Sequence, residues 1–266
     1  MKRFQVRPGE RVHLPAVDPD DTSGVGSKRS ALAICDRLSK RLEHLQELLY
    51  ADHHQAVLVV LEAVDAGGKD GTVRHVFEGV NPQGVRDVHF RVPTPEEAAH
   101  DFLWRIHRAT PGKGEIGIFN RSHYGDVLVA RAAGLVPPRV WRRRYRMINE
   151  FERTLVLEGT TVLKFFLHIG EDEQKRRLRE RLADPTKHWK FSADDLPARK
   201  LWPAYQAAFE EMLRRTSTKW APWYVIPSNK KWYRDWAVSA ILVDALERLK
   251  LSWPPLPPEW KSVVIR

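Results

Sequence analysis

The chain holds one cysteine, Cys35, so it can form no internal disulfide and no CxxC metal or redox pair. A lone thiol fits a reducing compartment, and the cytoplasm is the expected location. No apolar run approaches the roughly 20 residues of a membrane span, so no membrane partner is expected. The first residues, MKRFQVRPGERVHLPAVDPDD, lack the apolar core of a secretion signal. HExxH and GxSxG are missing, which leaves no support for a zinc hydrolase or a serine nucleophile on an elbow turn. No repeat, low-complexity tract or linker divides the chain. Acid is also in short supply: 34 Asp and Glu stand against 44 Lys and Arg, a net charge of +10. Such a surplus implies a polyanionic partner. Nucleic acid, an acidic membrane and an inorganic polyanion all satisfy it, and charge does not choose among them.

What is present is 266 residues, 42% of them hydrophobic, enough for one large α/β core. Residues 1–27 are rich in Pro, Gly, Asp and Ser and read as an extended or partly disordered arm over the body. Helical periodicity predicts helices over 28–49, 72–80, 94–107, 126–133, 138–157, 171–182, 201–214 and 232–249. Thr94 and Pro95 supply the cap and first position of one of them. Strands are expected at 55–63, 88–92, 115–119, 162–169 and 224–226. Residues 184–196 read as a polar loop. Alternation of strand and helix predicts a mainly parallel sheet covered on both faces, with ligands beyond the carboxyl ends of the strands.

The most informative stretch is AVLVVLEAVDAGGKDGT, Ala56 to Thr72. A buried strand runs into a turn around Asp65, Ala66, Gly67, Gly68 and Lys69, followed by Asp70, Gly71 and Thr72 and a helix. Unpaired amides at a helix N-terminus, the helix dipole and a lysine charge together make a phosphate cradle. The match to GxxxxGK[ST] is incomplete, because Ala63 and Asp70 stand where Gly and Ser/Thr belong. A carboxylate in such a loop makes sense if it holds Mg²⁺. Alone, the stretch also reads as a glycine-rich surface turn closed by a solvated lysine.

Four other clusters carry chemistry. FNRSHYGD, Phe119 to Asp126, follows a strand and offers Asn120, Arg121, Ser122, His123, Tyr124 and Asp126. RVWRRRYRMINEFER places Arg139, Arg142, Arg143 and Arg146 on one helix face, with Arg144 displaced from it. That face suits a phosphate chain, or equally a solvated helix paired with Glu150 and Glu152. KRRLRERLADPTKHWKF carries Arg177, Arg181, Lys187 and Lys190, as expected of a lid over transferring phosphates. A final strand ends in Ser228-Asn229-Lys230-Lys231, where Asn229 and Lys230 are candidates to meet a nucleotide base.

In order from about Ser30 to Pro254, the motifs EAVDAGGKDGT, GVNPQGV, HDFLWRIH, GEIGIFNRSHY, DPTKHWKF and APWYVIPSNKKWY resemble the family-2 polyphosphate kinases. They are most similar to the subgroup acting on both nucleoside mono- and diphosphates. The resemblance implies a P-loop kinase-like three-layer α/β/α fold, one domain over 1–266 with a helical lid at about 171–200. It implies phosphoryl transfer between inorganic polyphosphate and AMP, ADP or ATP, with Mg²⁺ or its substitute Mn²⁺. By position, Asp65 would organise the metal and Lys69 the transferred phosphate. The loop from Ala66 to Thr72, Arg177, Lys187 and Lys190 would hold polyphosphate, and Arg177 or Arg181 would act as the lid arginine. Asn120 and Arg121 fill the second motif, and Arg121, His123, Tyr124, Asp126, Asn229 and Lys230 are the expected nucleotide contacts. A homo-oligomer, dimer or tetramer, is expected, and nucleic acid is not. One position departs: Gly125 stands where an acidic residue is expected after the tyrosine. The competing readings are an ATP-dependent nucleotide or small-molecule kinase and a nucleic-acid-binding module, although no nucleic-acid readout motif is present.

Overall fold

A computed structural model describes residues 1–192, 195–263 and 265 of the chain. The parts of the expected loop and lid that fall on 193 and 194 lie outside the described residues. Among the described residues five strands, β1 (Ala56–Glu62), β2 (Val85–Val88), β3 (Ile116–Asn120), β4 (Thr160–His168) and β5 (Trp223–Pro227), form one sheet in the order β2-β3-β1-β4-β5. Every pairing is parallel. All seven residues of β1 are buried, because helices cover both faces of the sheet.

The side chains of β1 alternate between two cores. Val57, Val59 and Leu61 face helices α1 (Lys28–Asp52), α2 (Lys69–Val76) and the C-terminal α10 (Lys231–Arg248). Leu58 and Val60 face the opposite side, where α5 (Gly125–Ala132), α6 (Pro138–Leu157) and α9 (Trp202–Thr216) pack. Between these lie the shorter α3 (Pro95–Ala99), α4 (Trp104–His107) and α8 (Asp195–Lys200), and α7 (Glu171–Ala183). Cys35 packs beside the first core, and burial pushes its thiol up to about 11, which leaves it inert as a nucleophile. Among the described residues no helix is long and apolar enough to cross a membrane.

Several boundaries differ from the sequence reading. The edge strand β2 lies at 85–88, since its ladder with β3 ends at Val88 and Phe119. The apolar run that suggested 88–92 is explained by Phe90, which packs edge-on against Phe119 outside the ladder, and by Val92, 90% exposed. The expected 94–107 helix starts at the anticipated Thr94 cap, which with Glu97 forms a capping box, but divides into α3 and α4. Asp101 causes the break: its carboxylate accepts from the Leu103 amide, a local bond that competes with the helix. The 184–196 region contains a 3-10 segment at Pro185–Lys190.

The N-terminal arm is ordered against the body. Phe4, Val6, Leu14 and Val25 are buried, Gln5 bridges antiparallel to Tyr224, and the Val6 amide donates to Trp223 O at 2.9 Å. The arm thereby covers β5, an edge strand with unpaired backbone groups. Its polar composition concealed four apolar anchors.

Candidate active site

The parallel sheet puts the ends of β1, β3, β4 and β5 on one rim, and order reverses around β1, where a crevice opens. Beyond β1 the chain turns sharply. Ala66 and Gly68 have φ of 60° and 104°, in the left-handed region. A Cβ on Gly67 would lie 2.4 Å from the Ala63 Cβ, and one on Gly68 would lie 2.2 Å from Arg234 Nη1. Space requires glycine at Gly67, and the left-handed conformation favours it at Gly68. The turn delivers Lys69 as the first residue of α2, three residues earlier than expected, so its helix-start amides face the crevice without intrahelical partners.

Lys69 Nζ donates to Ala63 O at 3.0 Å. Burial pushes its ammonium pKa below the usual lysine range against the opposing pull of Asp65, Glu62 and Asp70. Asp65 sits 3.4 Å from Arg121 Nη2, and its carbonyl accepts from Gln174 Nε2 at 3.0 Å. Arg121 itself has φ of 68°, a strained conformation for arginine that aims its guanidinium over the loop. Asn120 Nδ2 donates to Asp70 Oδ1 at 3.0 Å. Burial raises the Asp70 pKa, but this hydrogen bond and the charges of Lys190, Lys69 and His89 outweigh it and hold the carboxyl below its ordinary value.

Two carboxylates, Asp65 and Asp70, therefore border the cradle. No group of three or more His, Cys, Asp or Glu side chains poised for a metal occurs among the described residues. That donor set fits a divalent ion bound by one or two carboxylates, water and substrate phosphates, as Mg²⁺ typically is, and not one caged wholly by protein.

Several predicted residues are turned elsewhere. Thr72 is buried, and both its amide and Oγ1 donate to Gly68 O, so it does not reach the mouth. Arg177, expected on phosphate, lies beneath the loop. Its Nη1 donates to Ala66 O and Gly67 O, its Nη2 to Ser228 O and Asn229 O, and its Nε to Glu173. All five N–H donors of the guanidinium are engaged. Arg177 and Arg234, which donates to Gly68 O at 3.2 Å, hold the carbonyl side of the turn and so keep its amide side facing out. Arg177→Lys is expected to lower kcat about 100-fold, since a single ammonium cannot bridge four carbonyls and small misplacements are costly. Turnover and thermal denaturation measured together check this, with a melting shift much smaller than the activity loss.

Asn229 and Lys230 are bonded to the arm, with Lys230 still exposed. Asn229 Nδ2 donates to Asp20 Oδ2 at 2.7 Å, its amide to Pro19 O, and Lys230 Nζ pairs with Asp20 at 3.3 Å. In the segment expected to act as a lid, Lys187 pairs with Asp184 at 2.6 Å, Arg181 Nη1 donates to Lys190 O, and Lys190 stands over the exposed Trp189 ring. Asp126 pairs with Arg105 at 3.3 Å, and its carbonyl accepts from Arg144, the arginine that the helical wheel had set apart. Gly125 opens α5, and a Cβ there would meet nothing within 4 Å.

His123 and Tyr124 are fully buried and cannot touch a nucleotide. They belong to a charged network under the FNRSHYGD turn. Glu152 Oε1 accepts from Tyr124 OH at 2.7 Å and lies 3.3 Å from His123 Nε2. Lys164 Nζ reaches Glu152 Oε2 at 2.6 Å, Thr216 O at 2.7 Å and Tyr124 OH at 3.0 Å, satisfying its three donors. Burial alone would raise the Glu152 carboxyl, but Lys164 and His123 hold it below its ordinary value. Glu62, at the end of β1, accepts from the Ser122 amide and hydroxyl at 3.1 and 2.7 Å. The sequence reading missed Glu62, Arg234, Glu152 and Lys164 as site supports. The one available signal was Lys164 inside an apolar strand, which needs a buried partner.

Comparison with known proteins bears on the family. The family model described as Polyphosphate kinase 2 (PPK2) matches residues 26–252. An AMP/ADP-polyphosphate phosphotransferase of Meiothermus ruber is 58% identical over 266 residues, covering 100% of both chains. An ADP-polyphosphate phosphotransferase of Rhodopseudomonas palustris is 40% identical, covering 100% of this chain and 96% of its own. The crystal structure of Polyphosphate Kinase 2 from Arthrobacter aurescens TC1 superimposes with a TM-score of 0.91 at 44% identity, over 94% of this chain and 90% of that one. A lysine-bearing amide cradle at the end of the central strand, and full-length likeness to these proteins, place the chain in the polyphosphate kinase 2 family.

Proposed function

We propose that the protein transfers a phosphoryl group directly between inorganic polyphosphate and AMP or ADP. The observation that carries this reading is the convergence of the α2 amides, Lys69, Arg121 and two carboxylates at one rim, with no serine, cysteine or histidine nucleophile among them. The attacking atom is an anionic phosphate oxygen, so alignment and charge neutralisation suffice and no strong base is required.

In this mechanism the amides of Gly68 to Gly71 and Lys69 grip the phosphate undergoing transfer. Arg121 swings from Asp65 to the equatorial oxygens. Asn120 fixes Asp70, and Asp65 and Asp70 would hold the divalent ion, taken as Mg²⁺. When bound, that ion supplies charge neutralisation on the phosphate oxygens. Lys187, Lys190 and Arg181 of the 171–200 segment close over the phosphate chain as a lid and exclude water. The charge of Lys190 helps to hold the Asp70 carboxyl below its ordinary value, which supports this reading. The surplus of +10 then has a role in drawing in a long anion.

The test is incubation with polyphosphate, Mg²⁺ and either AMP or ADP, followed by separation of the nucleotides. Formation of ADP from AMP and of ATP from ADP is expected. Transfer that needs ATP and never uses polyphosphate would establish the ATP-dependent kinase instead.

A further inference from the structure

Asn229, just past the end of β5, has a protein partner for each of its polar groups. Its Oδ1 accepts from the amide of Gly170, the residue before α7, at 3.0 Å. Its carbonyl accepts from Arg177 Nη2 at 3.1 Å. Its amide donates to Pro19 O at 3.1 Å and its Nδ2 to Asp20 Oδ2 at 2.7 Å. The first pair ties Asn229 to α7 and to the arginine beneath the phosphate loop, the second to the N-terminal arm. We propose that Asp20 is a positioning residue for phosphoryl transfer, acting through Asn229 and Arg177 on the phosphate loop. The inference rests on the transfer proposed above and adds the arm to its machinery.

The route from Asp20 to the loop is unbroken. Asp20 fixes Asn229, and Asn229 and Ser228 offer their carbonyls to Arg177 Nη2 at 3.1 and 2.6 Å. Nη1 of the same guanidinium donates to Ala66 O and Gly67 O, each at 3.1 Å. A guanidinium is planar and rigid, so a displacement at one edge is passed to the other. At the far end, Ala66 holds a φ of 60°, a conformation that persists only where its surroundings impose it. The amides expected to grip phosphate belong to this same turn.

The arm is built to hold Asp20 in place. Val17 O accepts from His168 Nε2 at 3.1 Å, at the end of β4. Asp18 Oδ1 accepts from the Asp20 amide at 2.9 Å. A Cβ on Gly170 would lie 3.5 Å from Pro19 Cγ, so the arm packs directly on the start of α7. Buried Leu14 and Val25 fasten the segment on either side. The Asp20 side chain itself is 51% exposed, so its contacts contribute little to stability. Its weight lies in geometry, because a misplacement of about 1 Å remote from the chemistry can cost a large factor in rate.

Three variants of the full chain, Asp20→Ala, Asp20→Asn and Asp20→Ala combined with Arg177→Lys, test the assignment with polyphosphate, Mg²⁺ and ADP. Asp20→Ala is expected to lower kcat about tenfold, with both KM values changed by less than about twofold. Its melting temperature is expected to stay within about 2 °C of the parent's. Asp20→Asn keeps an acceptor for Asn229 Nδ2 and loses the charge that faces Lys230 at 3.3 Å. It is expected to turn over like the parent. In the combined variant Asp20→Ala is expected to add less than about twofold to the Arg177→Lys loss, since both act along one route. Amide hydrogen exchange across 63–72, read without substrate, is expected to quicken in Asp20→Ala and not in Asp20→Asn. Parent-like kcat and exchange in Asp20→Ala, equal losses in the two single variants, or the same loss from Asp20→Ala in the Arg177→Lys background as in the parent would each overturn the role of Asp20. A parent that uses ATP and ignores polyphosphate would overturn the transfer instead, and the exchange result would still decide whether Asp20 holds the loop.

Discussion

Lys69→Ala is expected to lower kcat/KM for phosphoryl transfer by about 10³ while the protein remains folded. Lys69 opens α2 and feels the charge of three carboxylates, Asp65, Glu62 and Asp70, which oppose the lowering of its pKa by burial. Its removal deletes one preorganised contact to the transferred phosphate and leaves an anionic rim facing anionic substrates. Loss of one such contact typically costs 10²–10³, and the added repulsion extends it. Steady-state kinetics with polyphosphate and ADP measure the effect, and turnover within tenfold of the parent would refute the assigned role. A second readout is independent of activity. Glu62 is buried and its pKa is already raised by burial, with Lys69 the largest opposing influence. A carboxyl whose folded pKa exceeds its unfolded value favours the folded state at low pH and loses that contribution as pH rises through the folded pKa. Without Lys69 the Glu62 pKa moves higher. The variant's melting temperature should therefore fall relative to the parent at pH 8, with a smaller difference at pH 5.

The second large effect is expected at Lys164. Lys164→Met leaves the Glu152 carboxylate buried, with its cation gone and Tyr124 and His123 as its remaining partners. Breaking a buried pair from one side costs about 3–5 kcal/mol, which for a chain of this size lowers the melting temperature by roughly 10 °C. Glu152→Leu combined with Lys164→Met removes both charges and should recover most of that loss, because an apolar pair of similar volume tolerates the site. Activity should not recover. The Glu152 carboxylate is the anchor for Tyr124 and His123, which tie down the turn carrying Asn120 and Arg121. The double variant, assayed well below its melting temperature, is expected to retain about a tenth of the parent kcat. Full activity in the double variant would reduce the network to a stability element.

The sheet, its parallel sense and the phosphate loop were legible in the sequence because each rests on a local pattern. A run of buried β-branched residues followed by Gly67-Gly68-Lys69 and a helix start can be built in few ways. Asp65, Lys69, Asn120 and Arg121 follow from that reading, since residues just past parallel strands share a rim whatever the order of the strands. The order itself, with β1 at the centre and β2 at one edge, is a long-range pairing outcome with no local signal.

Composition and motif order determined the fold class, the anion chemistry and the family of this chain, because periodicity, glycine spacing and charge are written residue by residue. Tertiary structure decided which charges face the crevice. Arg177 and Lys187 read alike along the chain, yet one grips the underside of the loop and the other lies exposed past the end of α7, paired with Asp184. His123 and Tyr124 read as nucleotide contacts, yet burial turns them into supports beneath the turn that carries Arg121. Burial and donor saturation depend on what the fold packs against a side chain, and those partners (Ser228, Glu152, Asp20) lie 28 to 209 residues away.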